Sequence, residues 1–312
     1  MKSVMYHYIQ DFNPRMKYLS YLNYKNFEKQ IKFFKKSFDF IDCSKVKNFD
    51  SDVNLNKKIF LTFDDGLLCH YNYVFPILKK NNINAIFYIT TAPYINEKIL
   101  SVHKIHLILG AYGGKIACNF LDQYLDYSML DNNLIEEFEK ITYNTQINSD
   151  YTNKFKRTLN YYIKYKYREK VINDIFIKFF GNKEKDMIKK VYMSLNQIKK
   201  LYEFGMVIGS HSVSQKIMSR LTEREFKKEI DESFTFLEKY TVYKTFCYPY
   251  GGFHSFSEKI EQYLNTKSVS FSLNVESRDI DHNDLKNRRQ AEWNIYNKGV
   301  FFFPTFIFCE ES

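Results

Sequence analysis

The stretch "IFLTFDDGLLCH" (residues 59–70) places two adjacent acids, Asp64 and Asp65, at the end of an apolar run. The run "KIFLTF" (58–63) is nearly continuous and of strand length, which is typical of a strand that is covered on both faces. Neighbouring carboxylates repel each other unless a positive charge shares their site. A divalent cation that binds one of them would remove this conflict and leave the other free as a general base.

Predicted strands and helices alternate on both sides of this stretch. Upstream, "KSVMYHYI" (2–9) predicts a strand, and residues 24–38 have apolar residues at the spacing of an amphipathic helix. Downstream, "YVFPILKKNNI" (73–83) predicts a helix and "NAIFYIT" (84–90) a second buried strand. Strand, helix and strand at these lengths are the signature of a βαβ unit, so we predict an α/β fold with parallel strands.

The pattern changes between about residue 95 and residue 190. Helical stretches such as "NLIEEFEKITY" (133–143) dominate this region, and no strand is predicted within it. The alternation then resumes with three predicted helices and three predicted strands, which are "SLNQIKKLYEFG" (194–205), "MVIGSH" (206–211), "TEREFKKEIDESFTFLEKY" (222–240), "YKTFCYPYGG" (243–252), "SFSEKIEQYLN" (255–265) and "SVSFSLN" (268–274). We therefore predict a single domain over residues 1–312 with a helical insertion at about 95–190.

Composition and charge indicate which classes of molecule the protein is expected to bind. The net charge of +10 would suit a phosphate-bearing substrate. The basic, Tyr-rich stretch "KFKRTLNYYIKYKYREK" (154–170) favours a solvated helix with aromatic residues turned inward over a nucleic-acid surface, so no nucleic-acid partner is expected.

Five scattered cysteines without a C-x-x-C pair favour reduced thiols in a cytoplasm. The segment "MKSVMYHYIQDFNPRM" (1–16) has no sustained apolar core, so no cleaved signal peptide is expected. The apolar segment "GVFFFPTFIF" (299–308) is too short to span a bilayer and predicts a strand. These features predict a cytoplasmic protein without a transmembrane segment.

Chemically active residues follow several predicted strands. Asp64 and Asp65 follow "KIFLTF", His211 follows "MVIGS" and Tyr250 follows "TFCYP". Because the carboxyl ends of parallel strands meet at one edge of a sheet, we expect these residues to share a pocket. Aspartate with histidine is a suitable ligand set for zinc or a similar metal, and a metal-bound water beside a carboxylate base can hydrolyse an amide or ester.

Three segments resemble motifs of the polysaccharide deacetylases, the NodB-homology group also called carbohydrate esterase family four. They are "TFDDG" (62–66), "GSHSVSQKIMSRL" (209–221) and "YPYGG" (248–252), in this order. The resemblance covers roughly residues 1–95 and 190–285, and the opening "MYHY" (5–8) is similar to the Tyr-His pair in the first strand of many members. It implies a distorted (β/α) barrel and the removal of an N-acetyl or related acyl group from an amino sugar.

The resemblance also implies a role for each matching residue. Asp64 would be the general base that activates water, and Asp65 and His211 would be metal ligands. Tyr250 would offer its backbone N–H to the oxyanion, where such a donor contributes on the order of 3 kcal/mol. Zinc is the expected cofactor, and the expected substrate is an amino sugar of surface-glycan synthesis, nucleotide-linked or lipid-linked.

Gln215 stands where the family has the second histidine of its His-Ser/Thr-x-x-His motif. It is the expected third ligand, yet an amide oxygen binds zinc poorly, so weak metal binding or none is the alternative. Cys247 stands where many members have an arginine, and the usual Leu-x-His near the C-terminus is absent. The alternative function is a catalytically impaired deacetylase-like protein that binds a sugar or a partner protein. Retention of both aspartates argues against it, since paired acids add little stability to an abandoned site.

Two histidines are candidates to complete the site. His254 follows the "YPYGG" turn and is a candidate general acid. His7 lies on the first predicted strand and is a candidate for the mouth of the site. A lone histidine more often makes ordinary hydrogen bonds than takes part in chemistry, so a structural role is the alternative for both.

Four further residues are candidates for the substrate-binding surface. Pro249 and Gly251 flank Tyr250 in the predicted turn. Arg278 and Asp281 lie in "ESRDIDHNDL" (276–285), which resembles an arginine- and aspartate-containing segment of many bacterial members. They are expected to orient the base or contact the substrate, with a solvated ion pair as the alternative.

Overall fold

The structure, a computed structural model, describes residues 1–44, 55–143 and 146–275, and the backbone of residues 295–297. Within these residues the chain forms two compact units. The first unit comprises Met1–Ile9, Tyr24–Thr91 and the chain from Tyr192 onward, and the second comprises Gln10–Asn23 and Ala92–Val191. The prediction of a single domain with an insertion at about 95–190 stays a prediction.

The described strands and helices have the following bounds. The strands are β1 (Lys2–Tyr6), β2 (Ile9–Gln10), β3 (Leu22–Asn23), β4 (Asp39–Phe40), β5 (Lys58–Phe63), β6 (Ile86–Ile89), β7 (Val207–Ser210), β8 (Thr245–Cys247), β9 (Phe271–Asn274) and β10 (Ile295–Asn297). The helices are α1 (Tyr24–Ser37), α2 (Phe75–Asn81), α3 (Ala92–Ile95), α4 (Ser101–Tyr124), α5 (Asn132–Glu139), α6 (Asp150–Arg157), α7 (Tyr165–Phe180), α8 (Glu184–Val191), α9 (Leu195–Glu203), α10 (Glu223–Leu237) and α11 (Glu258–Thr266).

A parallel β-sheet forms the first unit. Its strand order is β1-β5-β6-β7-β8-β9-β10, with β4 also paired to β5, and every described pair is parallel. Helices α1, α2, α9, α10 and α11 belong to the same unit. The predicted α/β fold with parallel strands is therefore confirmed.

The register aligns the carboxyl ends of the central strands. Phe63, at the end of β5, is paired with Tyr6 of β1 and Phe87 of β6. Ser210, at the end of β7, is paired with Phe246 of β8. Because these strands run in the same direction, the residues that follow them emerge at one edge of the sheet.

An aromatic cluster packs at the end of β5. The Phe63 ring stacks on Phe87 at 4.9 Å and on Tyr6 at 5.5 Å, measured between ring centroids. The imidazole of His70 packs against Phe63 in a T-shaped arrangement, with the ring centroids 5.5 Å apart. All four rings are buried, so Asp64 and Asp65 follow a strand end that is fixed by dense aromatic packing.

Local sequence signals set the ends of two helices in this unit. Ser194 caps α9 and Thr222 caps α10, and each forms a capping box with the residue three positions later, Gln197 and Glu225 respectively. In each box two backbone N–H groups that the helix leaves unpaired receive a side-chain acceptor. Ser194 and Thr222 are also the first residues of the two helices predicted from sequence at 194–205 and 222–240.

The second unit is helical, with α3 to α8 and no strand of three or more residues among its described residues. Lys104 of α4 is buried and binds Glu184 of α8 at 2.8 Å and Asn173 of α7 at 2.6 Å, which joins three helices. The stretch 154–170, predicted as one helix, is interrupted at Ile163 and Lys164, whose extended backbone separates a π-helical turn after α6 from α7. Arg168 donates to the carbonyl of Leu159 in that turn. None of the described helices combines the length and the apolar character that a membrane span requires.

Candidate active site

Asp64 and Asp65 form the first part of the candidate site, directly after β5. The Asp64 amide donates to the carbonyl of Tyr6 at 3.0 Å, which continues the pairing of β5 with β1. Asp65 then turns into the left-handed region with φ 79° and Gly66 follows with φ 67°. This tight turn buries both carboxylates, each residue being 1% exposed, and gives them different hydrogen-bond partners.

His211 approaches this pair from the end of β7. Its Nδ1 lies 2.7 Å from the carbonyl oxygen of Cys247, and its Nε2 lies 3.5 Å from Asp65 Oδ1. A carbonyl only accepts hydrogen bonds, so Nδ1 carries a hydrogen, and Nε2 is the ring nitrogen that faces the carboxylate oxygen. Two electron-rich atoms face each other in this way only with a proton or a cation between them, and this tautomer is the one that metal-ligating histidines adopt.

Gln215 completes the contacts of Asp65. Its Nε2 donates to Asp65 Oδ1 at 2.6 Å, and its backbone N–H donates to Ser212 Oγ at 3.1 Å. Its Oε1 is buried and has no hydrogen-bond partner among the described residues. A buried amide oxygen without a partner is costly, and a cation would satisfy it. The predicted ligands Asp65, His211 and Gln215 are thus brought together.

His7, at the end of β1, lies on the other side of Asp65. Its Nε2 is 3.8 Å from Asp65 Oδ2, and its side chain is 36% exposed. The backbone carbonyl of His7 accepts a hydrogen bond from Nε2 of the fully buried His70 at 2.7 Å. Burial lowers the pKa of His70 to about 4, so this ring is a neutral donor at ordinary pH. His70 thereby positions the backbone of a predicted site residue, a contact that sequence patterns do not indicate.

The turn at 248–252 follows β8 and carries Pro249, Tyr250 and Gly251. Tyr250 has φ 62° and Gly251 has φ 69°, and the carbonyl of Gly251 accepts from the Val275 amide at 2.9 Å. A Cβ at position 251 would lie 2.4 Å from a Val275 methyl, so only glycine fits this close approach. The predicted role of the Tyr250 amide stays a prediction, as do those of Pro249 and Gly251.

His254 lies on the short helical turn after this segment. The hydroxyl of Ser219 donates to its carbonyl at 2.5 Å. Burial and the nearby charge of Arg220 lower the pKa of the imidazole. Its role as general acid stays a prediction. Arg278 and Asp281, and the strand predicted at 299–308, lie outside the described residues.

Backbone strain is concentrated at these strand ends. Eight described residues other than glycine have positive φ angles, and four of them lie in the loops after β5, β7 and β8, namely Asp65, Ser212, Gln215 and Tyr250. Such residues cost free energy, on the order of 1 kcal/mol each, and persist where the surrounding structure requires them. Their clustering around two buried acids is typical of a functional site.

Glu229 of α10 supports the loop between His211 and Gln215, and the sequence gives no indication of this role. Its Oε2 accepts from the amides of Val213 and Ser214 at 2.9 and 2.7 Å, and its Oε1 accepts from the Ser214 hydroxyl. A glutamate on an amphipathic helix resembles any solvated surface acid, so only the tertiary structure shows what it binds.

Cys247, the last residue of β8, is the second unexpected neighbour. Its Sγ lies 3.4 Å from Asp64 Oδ2 and donates to that carboxylate. Ligand atoms of Asp64, His211 and Cys247 all lie within 4.8 Å of one another, and the three residues are buried. Carboxylate, imidazole and thiol are all ligands of divalent transition metals, so the donor set at this edge of the sheet fits a divalent cation.

Comparison with known proteins agrees with this arrangement. The family profile described as polysaccharide deacetylase matches residues 52–112 and 173–269, just over half of the chain. No curated protein sequence matches the chain significantly.

Solved structures with the same fold include two bacterial proteins. One is the Streptococcus pyogenes deacetylase PplD in complex with acetate, with 14% identity, a TM-score of 0.56, and 96% of this chain and 90% of that chain covered. Another is BC0361, a polysaccharide deacetylase from Bacillus cereus, with 16% identity, a TM-score of 0.51, and 95% and 63% covered. At these identities the likeness shows the fold, and the predicted distorted (β/α) barrel of the NodB-homology type is confirmed. With the family profile matching both acid- and histidine-bearing segments, the chain belongs to the polysaccharide deacetylase family, and its prediction as a deacetylase enzyme is confirmed.

Proposed function

We propose that the protein is a metal-dependent hydrolase that removes an N-acetyl or related acyl group from an amino sugar. One observation carries this proposal. Asp64, Asp65 and His211 are buried together at the ends of β5 and β7, with His211 Nε2 3.5 Å from a carboxylate oxygen of Asp65. Neighbouring buried carboxylates repel each other, and their position beside His211 suits a protein that holds a cation next to a carboxylate base.

The cation is zinc or a similar divalent ion, and the residues that would hold it are Asp65 and His211, with Gln215 Oε1 as a weaker third ligand. When bound, such an ion supplies Lewis acidity to water and to the amide carbonyl. His211 is prepared for this role because the Cys247 carbonyl fixes the ring with Nε2 turned toward Asp65. The Gln215 amide holds Asp65 Oδ1 in place.

The remaining residues move protons and stabilise charge. Asp64 is the general base that takes the proton of the attacking water. The Tyr250 amide donates to the oxyanion, and His254 returns a proton to the departing amine. Substrate contacts are assigned to His7, Pro249 and Gly251, with Arg278 and Asp281 as further contacts.

The substrate class follows from charge and family. An amino sugar of surface-glycan biosynthesis, linked to a nucleotide or a lipid phosphate, would be attracted by the net charge of +10. We place this synthesis in the cytoplasm, because the four described cysteines are buried thiols outside any disulfide, as expected of cysteines that remain reduced.

The test is hydrolysis of N-acetylated amino-sugar oligomers and of an N-acetylated nucleotide sugar by zinc-loaded protein. Released acetate and new primary amines are measured together, since a deacetylase forms them in equal amounts. We expect turnover by the native protein and a rate lower by on the order of 10² to 10⁴-fold for the Asp64→Asn variant. Equal acetate release by both proteins would contradict the proposal.

A second candidate function is the binding of a sugar or a partner protein without turnover. The observation that favours it is the Gln215 amide, which donates to Asp65 where the family has a metal-binding histidine. Metal content separates the two functions. Stoichiometric zinc after incubation and desalting favours the enzyme, and a site that stays metal-free in excess zinc favours the binding protein.

A further inference from the structure

We propose that Cys247 is a metal ligand of this site through its thiolate, beside His211 and a carboxylate of the Asp64–Asp65 pair. This inference rests on the proposed metal dependence and extends it, because the family resemblance assigns no ligand to position 247. It identifies the donor that compensates for Gln215. It also predicts a sulfur-containing coordination sphere, which can be measured directly.

The first argument is distance. Cys247 Sγ is 3.4 Å from Asp64 Oδ2, and one ligand atom each from Asp64, His211 and Cys247 fits within a mutual distance of 4.8 Å. Zinc binds nitrogen at about 2.0 Å and sulfur at about 2.3 Å, so neighbouring ligand atoms of a tetrahedral site lie about 3.5 Å apart. The thiol of Cys247 and the imidazole of His211 therefore reach one ion after small changes of rotamer, and Asp64, the proposed base, lies beside that ion.

The second argument is the double contact between Cys247 and His211. The carbonyl of Cys247 accepts the Nδ1 hydrogen of His211 at 2.7 Å and thereby orients Nε2 toward the acids. The side chain of the same Cys247 lies among the ligand atoms of that cluster. One residue thus fixes the tautomer of one ligand and supplies another, and both functions depend on the position of a single strand end.

The third argument is the state of Gln215. Its amide nitrogen donates to Asp65 at 2.6 Å, so this side chain is engaged in holding a carboxylate. Its oxygen is a neutral donor that binds zinc weakly. A thiolate provides the negative charge and the soft donor that the amide lacks. When the ion binds, the S–H bond breaks, a bond from sulfur to the metal forms, and the proton leaves to solvent.

The proposal has a consequence for metal choice. A thiolate with an imidazole selects zinc or cobalt(II) over magnesium and calcium, which prefer oxygen ligands. Wild-type protein should therefore retain zinc in the presence of excess magnesium. Replacement of Cys247 by serine should weaken zinc binding by about tenfold or more, which is the usual minimum for changes near a metal site.

The decisive experiment needs no variant and uses the full chain with zinc alone. Zinc K-edge X-ray absorption of the stoichiometric complex separates a sulfur shell at about 2.3 Å from nitrogen and oxygen at about 2.0 Å. We expect one sulfur per zinc. A first shell that contains nitrogen and oxygen only would overturn the proposal, as would a protein that binds no zinc.

Cobalt(II) spectroscopy then assigns the sulfur to a residue. The wild-type complex should show a near-ultraviolet charge-transfer band from thiolate to cobalt, and Cys247→Ser should lose it. Cys43→Ser is the matched control, because Cys43 is also fully buried in the same unit and donates to the Asn84 carbonyl instead of lying near the acids. A band that persists in Cys247→Ser, or that disappears in Cys43→Ser, would overturn the assignment.

The outcomes also separate this proposal from the proposed function. Zinc bound by nitrogen and oxygen alone, in a protein that releases acetate, contradicts the thiolate ligand and leaves the deacetylase intact. A zinc–sulfur complex that hydrolyses none of the amino-sugar substrates supports the ligand and contradicts the proposed activity.

Discussion

Asp65 and Glu261 are two carboxylates buried to the same extent in the same unit, each 1% exposed, and their surroundings are opposite. Asp65 accepts from the Gln215 amide at 2.6 Å and has imidazole nitrogens of His211 and His7 at 3.5 and 3.8 Å. Glu261, on α11, receives one long hydrogen bond of 3.4 Å from Ser272, and its Oε1 has no partner among the described residues.

The two buried acids differ in the polar groups that surround them. Around Asp65 the chain supplies an amide donor and two imidazole rings, which are groups that can stabilise a carboxylate or hold a metal with it. Around Glu261 it supplies almost none, and burial raises the pKa of this carboxyl to about 8. The first acid is therefore expected to matter for activity, and the second for stability alone.

The largest effect is expected at the site acids. Asp64→Asn removes the proposed base while conserving size, so deacetylation should fall by on the order of 10² to 10⁴-fold. The measurement is the rate of acetate release by zinc-loaded protein. Asp39→Asn, at an exposed acid that pairs with Lys58, is the matched control and should keep wild-type activity. Equal rates for Asp64→Asn and wild type would show that the buried acids after β5 do not take part in catalysis.

The next effect concerns Glu261 and appears in stability. At pH below 4.5, the ordinary pKa, both folded and unfolded chains hold the proton. As the pH rises from 4.5 to about 8, the unfolded chain loses the proton and the folded chain keeps it, so stability is lost across this window. Glu261→Gln cannot ionise and should be more stable than wild type at pH 8, by on the order of 4 kcal/mol at most.

Urea unfolding of wild type and Glu261→Gln at several pH values measures this difference. It should vanish near pH 4, and deacetylation at pH 7 should be unchanged. Glu258→Gln, at an exposed position of the same helix, is the control and should not alter the pH dependence. A Glu261→Gln variant that is less stable than wild type at pH 8 would show that the carboxylate is charged and paired.

A third effect concerns His70, the buried histidine that supports the site. Its folded pKa of about 4 is below the ordinary value of 6.5, so the unfolded chain binds a proton first as the pH falls. Stability should be lost between pH 6.5 and about 4, by on the order of 3 kcal/mol. His70→Gln places an amide nitrogen near the position of Nε2 and does not titrate. The stability of this variant should therefore change less than that of the wild type between pH 6.5 and 4.

Urea unfolding between pH 4 and 7 tests the His70 prediction. His106→Gln, at a half-buried histidine of the second unit, is the control and should lose stability with falling pH as the wild type does. The prediction is wrong if His70→Gln loses stability with falling pH as steeply as the wild type does.

The smallest effect is expected at Gln215. Gln215→His replaces a weak neutral oxygen by an imidazole nitrogen, and histidine tolerates the left-handed φ of 53° at this position better than most residues. Zinc affinity should rise by about tenfold, because imidazole is a better zinc ligand than an amide. Competition with a chromophoric chelator measures it. Unchanged or weaker affinity would indicate that holding Asp65 is the main role of the residue at 215.

Local signals predicted many elements of the fold. The apolar run before Asp64 and the N-caps Ser194 and Thr222 depend on neighbours within a few residues, so sequence is sufficient to identify them. The interruption of the 154–170 stretch at Ile163 and Lys164 was not predicted, because helical periodicity alone does not indicate where the backbone becomes extended.

One rule predicted part of the candidate site from sequence. The carboxyl ends of parallel strands meet, and this brought Asp64, Asp65 and His211 together from sequence. Glu229, His70 and Cys247 were missed as members of the site for a common reason. Each acts through a contact with a residue that is distant in the chain, such as the 183 positions between Cys247 and Asp64.

By itself, the sequence determined most strand and helix types, the edge of the sheet at which the candidate site residues lie, and the family, because periodicity, caps and short motifs are local. Only the tertiary structure decided how each buried polar group is paired. It placed the Gln215 amide on Asp65, the Cys247 thiol on Asp64, and almost nothing on Glu261. The free energy of a buried charge depends on atoms within a few ångströms, and those atoms come from distant parts of the chain.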